Sequence, residues 1–304
     1  MNPEITIIIV SYNVQVLLQK CIDSIFASNI RSSFEIIVVD NASSDESEEL
    51  IQKRYPQIKW IQNQENKGFA AANNQGIRLA KGAYIWLLNP DTEVTPEALD
   101  SLKHVIEGDS LIGACGSKLI NQDGSLQISC YPFPTLGREF VRMFHLEGLI
   151  PNTRYPMDQW DSHKIYPVDN LQGASLLLRK SALEEVGYLD EAFFVYTEEV
   201  DLNYRLKKAG WKIYWVPNSI IVHHGGQSTK QNRTPMFLEL YKTKIQFFRK
   251  HYGKVITTLY KIVLYFASMT RIVGGGIMSL ITKSAENQTM MTNYNSLIKN
   301  ISIY

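Results

Sequence analysis

The sequence predicts an α/β fold: a mostly parallel central sheet flanked by helices, with a C-terminal helical extension. Three observations predict it. Strand-like and helix-like segments alternate four times before residue 110. The strand-like segments are short, β-branched and almost uninterrupted, as strands covered on both faces are. From about His251 the chain changes to long apolar runs whose only charges are basic. Alternation of this kind sets parallel strands side by side, with helical crossovers packed on the sheet.

Taken in order, Ile5–Val10 reads as a buried strand and Val14–Ala27 as a helix spaced by Leu17, Leu18, Cys21, Ile22 and Ile25. Phe34–Val39 is the second strand, and Asp45–Arg54 a polar-faced helix that Ser43 or Ser44 could cap. Ile58–Ile61 and Tyr84–Leu88 are strands on either side of a Gly68–Ala80 helix. Thr95–Glu107 follows as a helix, with Thr95 as its N-cap and Pro96 at its first position. After Leu111 the rhythm breaks. Ile112–Leu119 and Ser125–Cys130 read as strands around the turn pair Asp123-Gly124. Gly137–Ile165 reads as an irregular surface excursion. Then come a strand at Ala174–Leu178, helices at Lys180–Val186 and Glu198–Ala209, and strands at Lys212–Val216 and Ser219–Val222.

Composition narrows the class. The 304 residues are 45% hydrophobic and 20% charged, which excludes a disordered chain, a collagen-like repeat and a coiled coil. Lys and Arg number 31 against 30 acids. A dedicated nucleic-acid binder needs a clearer basic excess to replace counterions on phosphate. Cys21, Cys115 and Cys130 form neither a disulfide framework nor a CxxC pair, so a reducing compartment is the simple expectation. The N-terminus lacks the basic-then-apolar layout of a secretory signal.

Ligands of open parallel sheets bind outside the carboxyl ends of the strands. Those ends carry Ser11-Tyr12-Asn13, then Asp40 to Asp45, then Asn89-Pro90-Asp91-Thr92-Glu93. Asp40 could accept hydrogen bonds from a base or ribose. Asp91 and Glu93 offer oxygens to Mg²⁺ or Mn²⁺. Each also suits a turn or a helix cap. Neither a dinucleotide glycine fingerprint nor a GxxxxGK[ST] phosphate loop is present. Further on, Glu198, Glu199 and Asp201 open a helix, where the dipole favours them; one could equally serve as a general base. His223-His224 ends a strand and offers either a metal ligand or a structural imidazole.

In combination these segments are more specific than any one of them. IIIVSYN at 7–13, IIVVDNASSD at 36–45, NKGFAAANNQGI at 66–77, WLLNPDTEV at 86–94, the run at 173–217 and VHHGGQST at 222–229 resemble the family 2 glycosyltransferases. Within that family they look most like the rhamnosyltransferase-type enzymes of bacterial surface polysaccharides. The resemblance implies a GT-A fold that takes a nucleotide-diphosphate sugar, UDP- or dTDP-linked, with a divalent metal, Mg²⁺ or Mn²⁺. On that resemblance, Asp40 binds the pyrimidine base with the Ser11, Tyr12 and Asn13 backbone nearby. Asn66, Gly68 and Asn74 approach the nucleotide sugar. Asn89 stands where the family's DxD motif has its first acid, leaving Asp91 to hold the metal. His223 matches a late metal-contacting histidine, with His224 adjacent in register. Glu199 takes the place of the catalytic base, as a Glu where the family has Asp, and Glu198 is the alternative. Asp201 reads as a cap, and Trp211 and Trp215 as core.

The resemblance thus implies an inverting transferase that moves a sugar, with a lean towards rhamnose, to a polysaccharide or lipid-linked acceptor. The alternatives are a sugar nucleotidyltransferase and a non-catalytic sugar-nucleotide-binding subunit of a polysaccharide complex. The expected organisation is a catalytic domain over 1–250, with a nucleotide half at 1–110 and an acceptor half at 111–250. The extension over 251–304 reads as an amphipathic element that meets the cytoplasmic face of the inner membrane peripherally. Packing on its own domain, or on a partner subunit of a homo-oligomer, is the competing reading. Lys261 and Arg271 interrupt its apolar run, which argues against a spanning helix.

Overall fold

The computed structural model describes residues 2–150, 153–225, 233–281 and 285–304. Its first hundred residues alternate as the sequence predicts: β1 Ile5–Ser11, α1 Gln15–Ala27, β2 Phe34–Asp40, α2 Ser47–Arg54, β3 Lys59–Gln62, α3 Phe69–Leu79 and β4 Tyr84–Leu88. Then follow β5 Thr92–Val94, α4 Ala98–Gly108, β6 Ile112–Ile120, β7 Cys130–Tyr131 and α5 Leu136–Met143. The next elements are β8 Tyr166–Pro167, β9 Asn170–Leu171, β10 Ser175–Arg179, α6 Lys180–Val186, α7 Glu198–Lys208 and β11 Lys212–His223. Two more helices, α8 Arg233–Ile281 and α9 Ala285–Asn300, end the chain.

The main sheet has the order β3-β2-β1-β4-β10-β6-β11-β5, with β8 added beside β11. Strands β3, β2, β1 and β4 run parallel, β10 is antiparallel to both β4 and β6, and β11 is parallel to β6. Every residue of β1 is buried, as its Ile- and Val-rich sequence suits in a strand covered on both faces. The order 3-2-1-4 reverses direction at β1, so a crevice opens beside the carboxyl ends of β1 and β4.

Several local expectations change. Thr95 does not cap α4: its hydroxyl donates to the Ile220 carbonyl (2.7 Å), and the helix begins at Ala98 after Glu97 in the left-handed region. Tertiary pairing outbids the local cap. Asp45, not Ser43 or Ser44, turns the chain into α2, accepting from the Ser47 amide at 3.2 Å. The strand expected at Ser125–Cys130 reduces to a bridge between Ile120 and Leu126 and the short β7. The Gly137–Ile165 excursion starts with helix α5, whose cap is Thr135. The two strands expected at 212–222 form one strand, β11, with its register against β6 shifting between Val216 and Ile220. Cys21, Cys115 and Cys130 are free and buried.

The chain divides into two compact units. One comprises residues 1–133, 155–194 and 198–231 and holds both sheets; the other comprises 134–154, 195–197 and 232–304. In the second, α5, α8 and α9 enclose Met143, Ile245, Phe248, Tyr260, Leu264 and Leu297. Helix α8 is broken at Gly253 (φ +78°).

Candidate active site

The carboxyl ends of β1 and β2 lie in register, Ser11 opposite Asp40, and both residues are buried. Asp40 Oδ1 accepts from the Ser43 amide (2.7 Å) and from Gln62 Nε2 (2.8 Å). Among the described residues nothing hydrogen-bonds its Oδ2, so the carboxylate keeps acceptor capacity at the sheet edge. The half-buried Tyr12 and Asn13 follow directly. Asn13 adopts φ +51° and ties the two strand ends together, its amide donating to Ser43 Oγ (2.9 Å) and its Oδ1 accepting from the Ser44 amide (2.8 Å).

The loop before α3 is held from below by a residue the sequence did not single out. Asn41 Nδ2 donates to Asn66 Oδ1 (2.8 Å) and to the Gly68 carbonyl (3.2 Å), and its Oδ1 accepts from the Lys67 amide (3.0 Å). Asn66 Oδ1 also accepts from the Gly68 amide (3.0 Å), so its side chain is spent on shaping the loop. Gly68 is required twice over. Its φ is +83°, and a Cβ there would sit 2.4 Å from the Phe194 carbonyl oxygen. The same carbonyl accepts from the Phe69 amide at 2.6 Å. Asn74 is buried in α3 and fully engaged with Leu189 and Glu191, so it positions the 189–194 turn rather than facing a crevice.

Strand β4 delivers the third cluster. The Asn89 amide donates to the Ala174 carbonyl (3.0 Å), and nothing among the described residues hydrogen-bonds its buried Oδ1. Strand β5, which the sequence did not announce, pairs antiparallel with β11 and sets Thr92 opposite His223. The adjacent Asp91 thereby meets His223: Oδ1 and Nε2 are 3.4 Å apart. His224 pairs instead with Glu93 (2.8 Å), so each of the two histidines faces one of the two acids of this turn. His223 Nδ1 faces Gln127 Oε1 at 2.9 Å. The amide of Gln127 is oriented by donating to Asn121 Oδ1 (2.6 Å) and to the His223 carbonyl (2.7 Å), which leaves its oxygen for the ring. In the neutral ring Nδ1 therefore carries the hydrogen, and the Nε2 lone pair is directed at a carboxylate. Two acceptors at that separation suit a cation between them.

The fourth cluster opens α7. Glu198 is buried, and burial followed by the charge of Glu199 raises its carboxyl well above the usual 4.5. Glu199 is half-buried and packs at Gly173, where a built Cβ would lie 3.7 Å from the Glu199 Cβ. Gly173 immediately precedes Ala174, the partner of Asn89, so one short segment links Glu199 to the Asn89–Asp91 turn. Asp201 is a structural acid: it pairs with Arg205 (2.8 Å), whose guanidinium also holds the carbonyls of Val186, Gly187 and Tyr188. Trp215 is buried against Trp160, and Trp211 Nε1 is bound by Glu185. Among the described residues no group of three or more His, Cys, Asp or Glu side chains is placed to hold a metal. Among the described residues, Asp91 and His223 are the two candidate ligands that face each other at this edge.

Comparison with known proteins follows the same outline. Residues 6–186 match the family described as glycosyl transferase family 2, and residues 142–297 match glycosyl transferase family group 2. The chain is 29% identical over 244 residues to the N-acetylglucosaminyl-diphospho-decaprenol L-rhamnosyltransferase of Mycobacterium tuberculosis, covering 75% of this chain and 78% of that protein. It is 28% identical over 212 residues to a low-salt glycan biosynthesis hexosyltransferase of Haloferax volcanii, covering 68% and 63%. A mannosyltransferase of Pyrobaculum calidifontis, solved with GDP-mannose and Mn²⁺, superposes with TM-score 0.62 at 15% identity, over 100% of this chain and 87% of that one. The transferase GalNAc-T7, solved with UDP, GalNAc and Mn²⁺, gives 0.56 at 18% identity, over 73% and 44%. These structural likenesses show the GT-A fold.

Proposed function

The chain belongs to glycosyl transferase family 2 and is a glycosyltransferase, and from that premise we propose an inverting, metal-dependent enzyme of polysaccharide biosynthesis. Its donor is a nucleotide-diphosphate sugar, UDP- or dTDP-linked, with rhamnose the favoured sugar. Its acceptor is a saccharide or a lipid-linked saccharide at the cytoplasmic face of a membrane. The observation that carries this reading is the facing of Asp91 and His223 at 3.4 Å, at the sheet edge that also bears Asp40. The rhamnosyltransferase relative supports the sugar and the lipid-linked acceptor, and the Mn²⁺-containing structures support the metal.

Asp40, with Oδ2 to spare, accepts from the base, and the Ser11–Asn13 backbone lies along the nucleoside. Asp91 and His223 are the residues that would hold Mg²⁺ or Mn²⁺. When bound there, the metal would supply neutralisation of the charge that builds on the departing diphosphate. Asn89 and the Gly68–Phe69 backbone orient the donor. Glu199 takes the proton from the acceptor hydroxyl as that oxygen attacks the anomeric carbon from the face opposite the diphosphate. One displacement inverts the anomeric centre, so no second carboxylate is needed as nucleophile. Burial and the Glu199 charge raise the Glu198 carboxyl, and Glu199 is the more accessible of the two acids, which favours Glu199 as the base.

The test is Glu199→Gln in a transfer assay that reports release of nucleoside diphosphate. Transfer should fall roughly 100- to 10,000-fold while donor binding persists. Unchanged transfer overturns the base assignment, and release of pyrophosphate instead of nucleoside diphosphate overturns the reaction class.

A further inference from the structure

Among the described residues, the second compact unit leaves a surface that its own packing does not use. Beyond the break at Gly253, α8 has two unlike faces. One is buried: Tyr260 stacks on Phe248 (centroids 4.3 Å apart), and Leu264, Ala267 and Ser268 are shut in beside it. The opposite face carries Val255, Leu259, Ile262, Phe266, Met269 and Val273 at alternating intervals of four and three residues, between 38% and 73% exposed. Ile277 extends the series by one more turn. At 1.5 Å per residue the stripe is about 33 Å long, where a water-facing helix would place polar side chains.

Charge decides what covers it. From Lys254 to Ile281 the charged residues are Lys254, Lys261 and Arg271, with no acid among them. Arg271 is turned inward, donating to the Met143 carbonyl (2.7 Å) and lying over the Tyr294 ring. Lys254 and Lys261 border the stripe. A second copy laid along it would meet like charges with no acid to answer them, whereas the basic border suits anionic headgroups.

By length and composition Thr234–Met278 could cross a bilayer. The break at Gly253 divides that stretch, and crossing would strip Tyr260, Leu264 and Ser268 from the core they help close. We propose that the Val255–Ile277 stripe of α8 inserts into one leaflet of an anionic membrane, with the helix lying in the interfacial plane instead of spanning it. This rests on the reading of a membrane-side transferase and names the surface that makes the contact.

The experiment is co-sedimentation of the full-length protein with phosphatidylglycerol-containing vesicles and with phosphatidylcholine vesicles, alongside the double variant Ile262→Ser/Phe266→Ser. The wild type should sediment with the anionic vesicles and less with the neutral ones. The variant should lose roughly 30-fold in partition, about fivefold for each half-exposed side chain withdrawn from hydrocarbon. Its melting temperature should be unchanged. Equal sedimentation of the variant, or none by the wild type, overturns the proposal. So does a wild-type dimer in sedimentation velocity that the variant converts to monomer, which would assign the stripe to a second copy. Retention of the wild type by vesicles through an alkaline carbonate wash would assign it to a span. Nucleoside-diphosphate binding without vesicles is measured in parallel, and its loss would count against the transferase reading, not against the stripe.

Discussion

Replacing Gln127 by Leu removes the acceptor that fixes the His223 ring without touching either proposed metal ligand. The amide makes three contacts: Oε1 with His223 Nδ1 at 2.9 Å, and Nε2 with Asn121 Oδ1 at 2.6 Å and the His223 carbonyl at 2.7 Å. His223 is buried, so its Nδ1–H would lose its partner away from solvent. An orphaned buried donor costs about 1–3 kcal/mol. The ring can then rotate or change tautomer, and Nε2 no longer presents a fixed lone pair towards Asp91. Loss of an outer-shell partner of this kind typically lowers metal affinity about 10- to 100-fold. Gln127→Glu keeps the acceptor for Nδ1 but sets its second carboxylate oxygen against the Asn121 Oδ1 and the His223 carbonyl, so it should recover only part of the lost affinity. The assay is Mn²⁺ titration by calorimetry in the presence of nucleoside diphosphate, with metal-free melting curves to confirm that each variant is folded. Unchanged Mn²⁺ affinity in a folded Gln127→Leu protein refutes the argument.

Three further outcomes follow from groups whose surroundings are explicit. Burial and the Glu199 charge raise the Glu198 carboxyl well above 4.5, so the unfolded group ionises past that point while the folded group keeps its proton. Stability should therefore fall as pH rises from about 4.5 towards the folded value. Glu198→Gln should flatten that slope, raising the melting temperature at neutral pH and leaving it unchanged in acid; parallel melting-versus-pH curves would contradict this. Glu139 is the reverse case: burial alone would raise its carboxyl, but Lys244 (2.9 Å) and Arg142 (3.2 Å) outweigh burial and hold it below 4.5. Its contribution is present above 4.5 and is lost as pH falls through the folded value. Glu139→Gln should cost about 3–5 kcal/mol at neutral pH and less in acid, as read by urea unfolding. Gly68→Ala combines a glycine-only backbone with a clash at the Phe194 carbonyl. It should weaken nucleoside-diphosphate binding and cost about 1–3 kcal/mol, whereas Gly124→Ala, equally left-handed at φ +82° but in open space, should leave binding intact.

What the sequence makes legible is what local chemistry determines. The strands β1, β2 and β4 are readable because burial on both faces demands continuous Ile, Val and Leu, and the residues at their carboxyl ends are then forced to one edge. The helix at 69–79 is readable from its spacing, and the need for glycine before it from the motif. Pairing between distant segments is not. Strand β5 is three residues long and polar in part, and it exists because β11 lies beside it. Thr95 has the chemistry of a cap, yet a carbonyl 125 residues away claims its hydroxyl. Gln127 falls in a segment whose only visible feature is β-like alternation, and Asn41 sits among residues that read equally well as a turn. Helix α5 was hidden by the aromatics and prolines around it, although Thr135 caps it.

The same long-range pairings are what turn scattered acids into one site. Strand β10 is inserted antiparallel between β4 and β6, so the residues preceding it, Gly173 and Ala174, arrive at the carboxyl end of β4. A parallel strand there would have brought its other end to that edge. Ala174 binds the Asn89 amide, and Glu199 of α7 lies against the neighbouring Gly173. On the other side, antiparallel β5 and β11 carry His223 to the same turn. Both deliveries depend on strands whose direction departs from the parallel rule of the first hundred residues. The proposed nucleotide edge can thus be written in contiguous motifs, whereas the proposed base and the proposed second metal ligand must be imported by the mixed half of the sheet. A variant that breaks the β5–β11 ladder should therefore lose the Asp91–His223 meeting while leaving Asp40 and its neighbours in place. Nucleoside binding that survives with metal dependence abolished would be the signature of that separation, and simultaneous loss of both would show that the two halves of the edge are not independent.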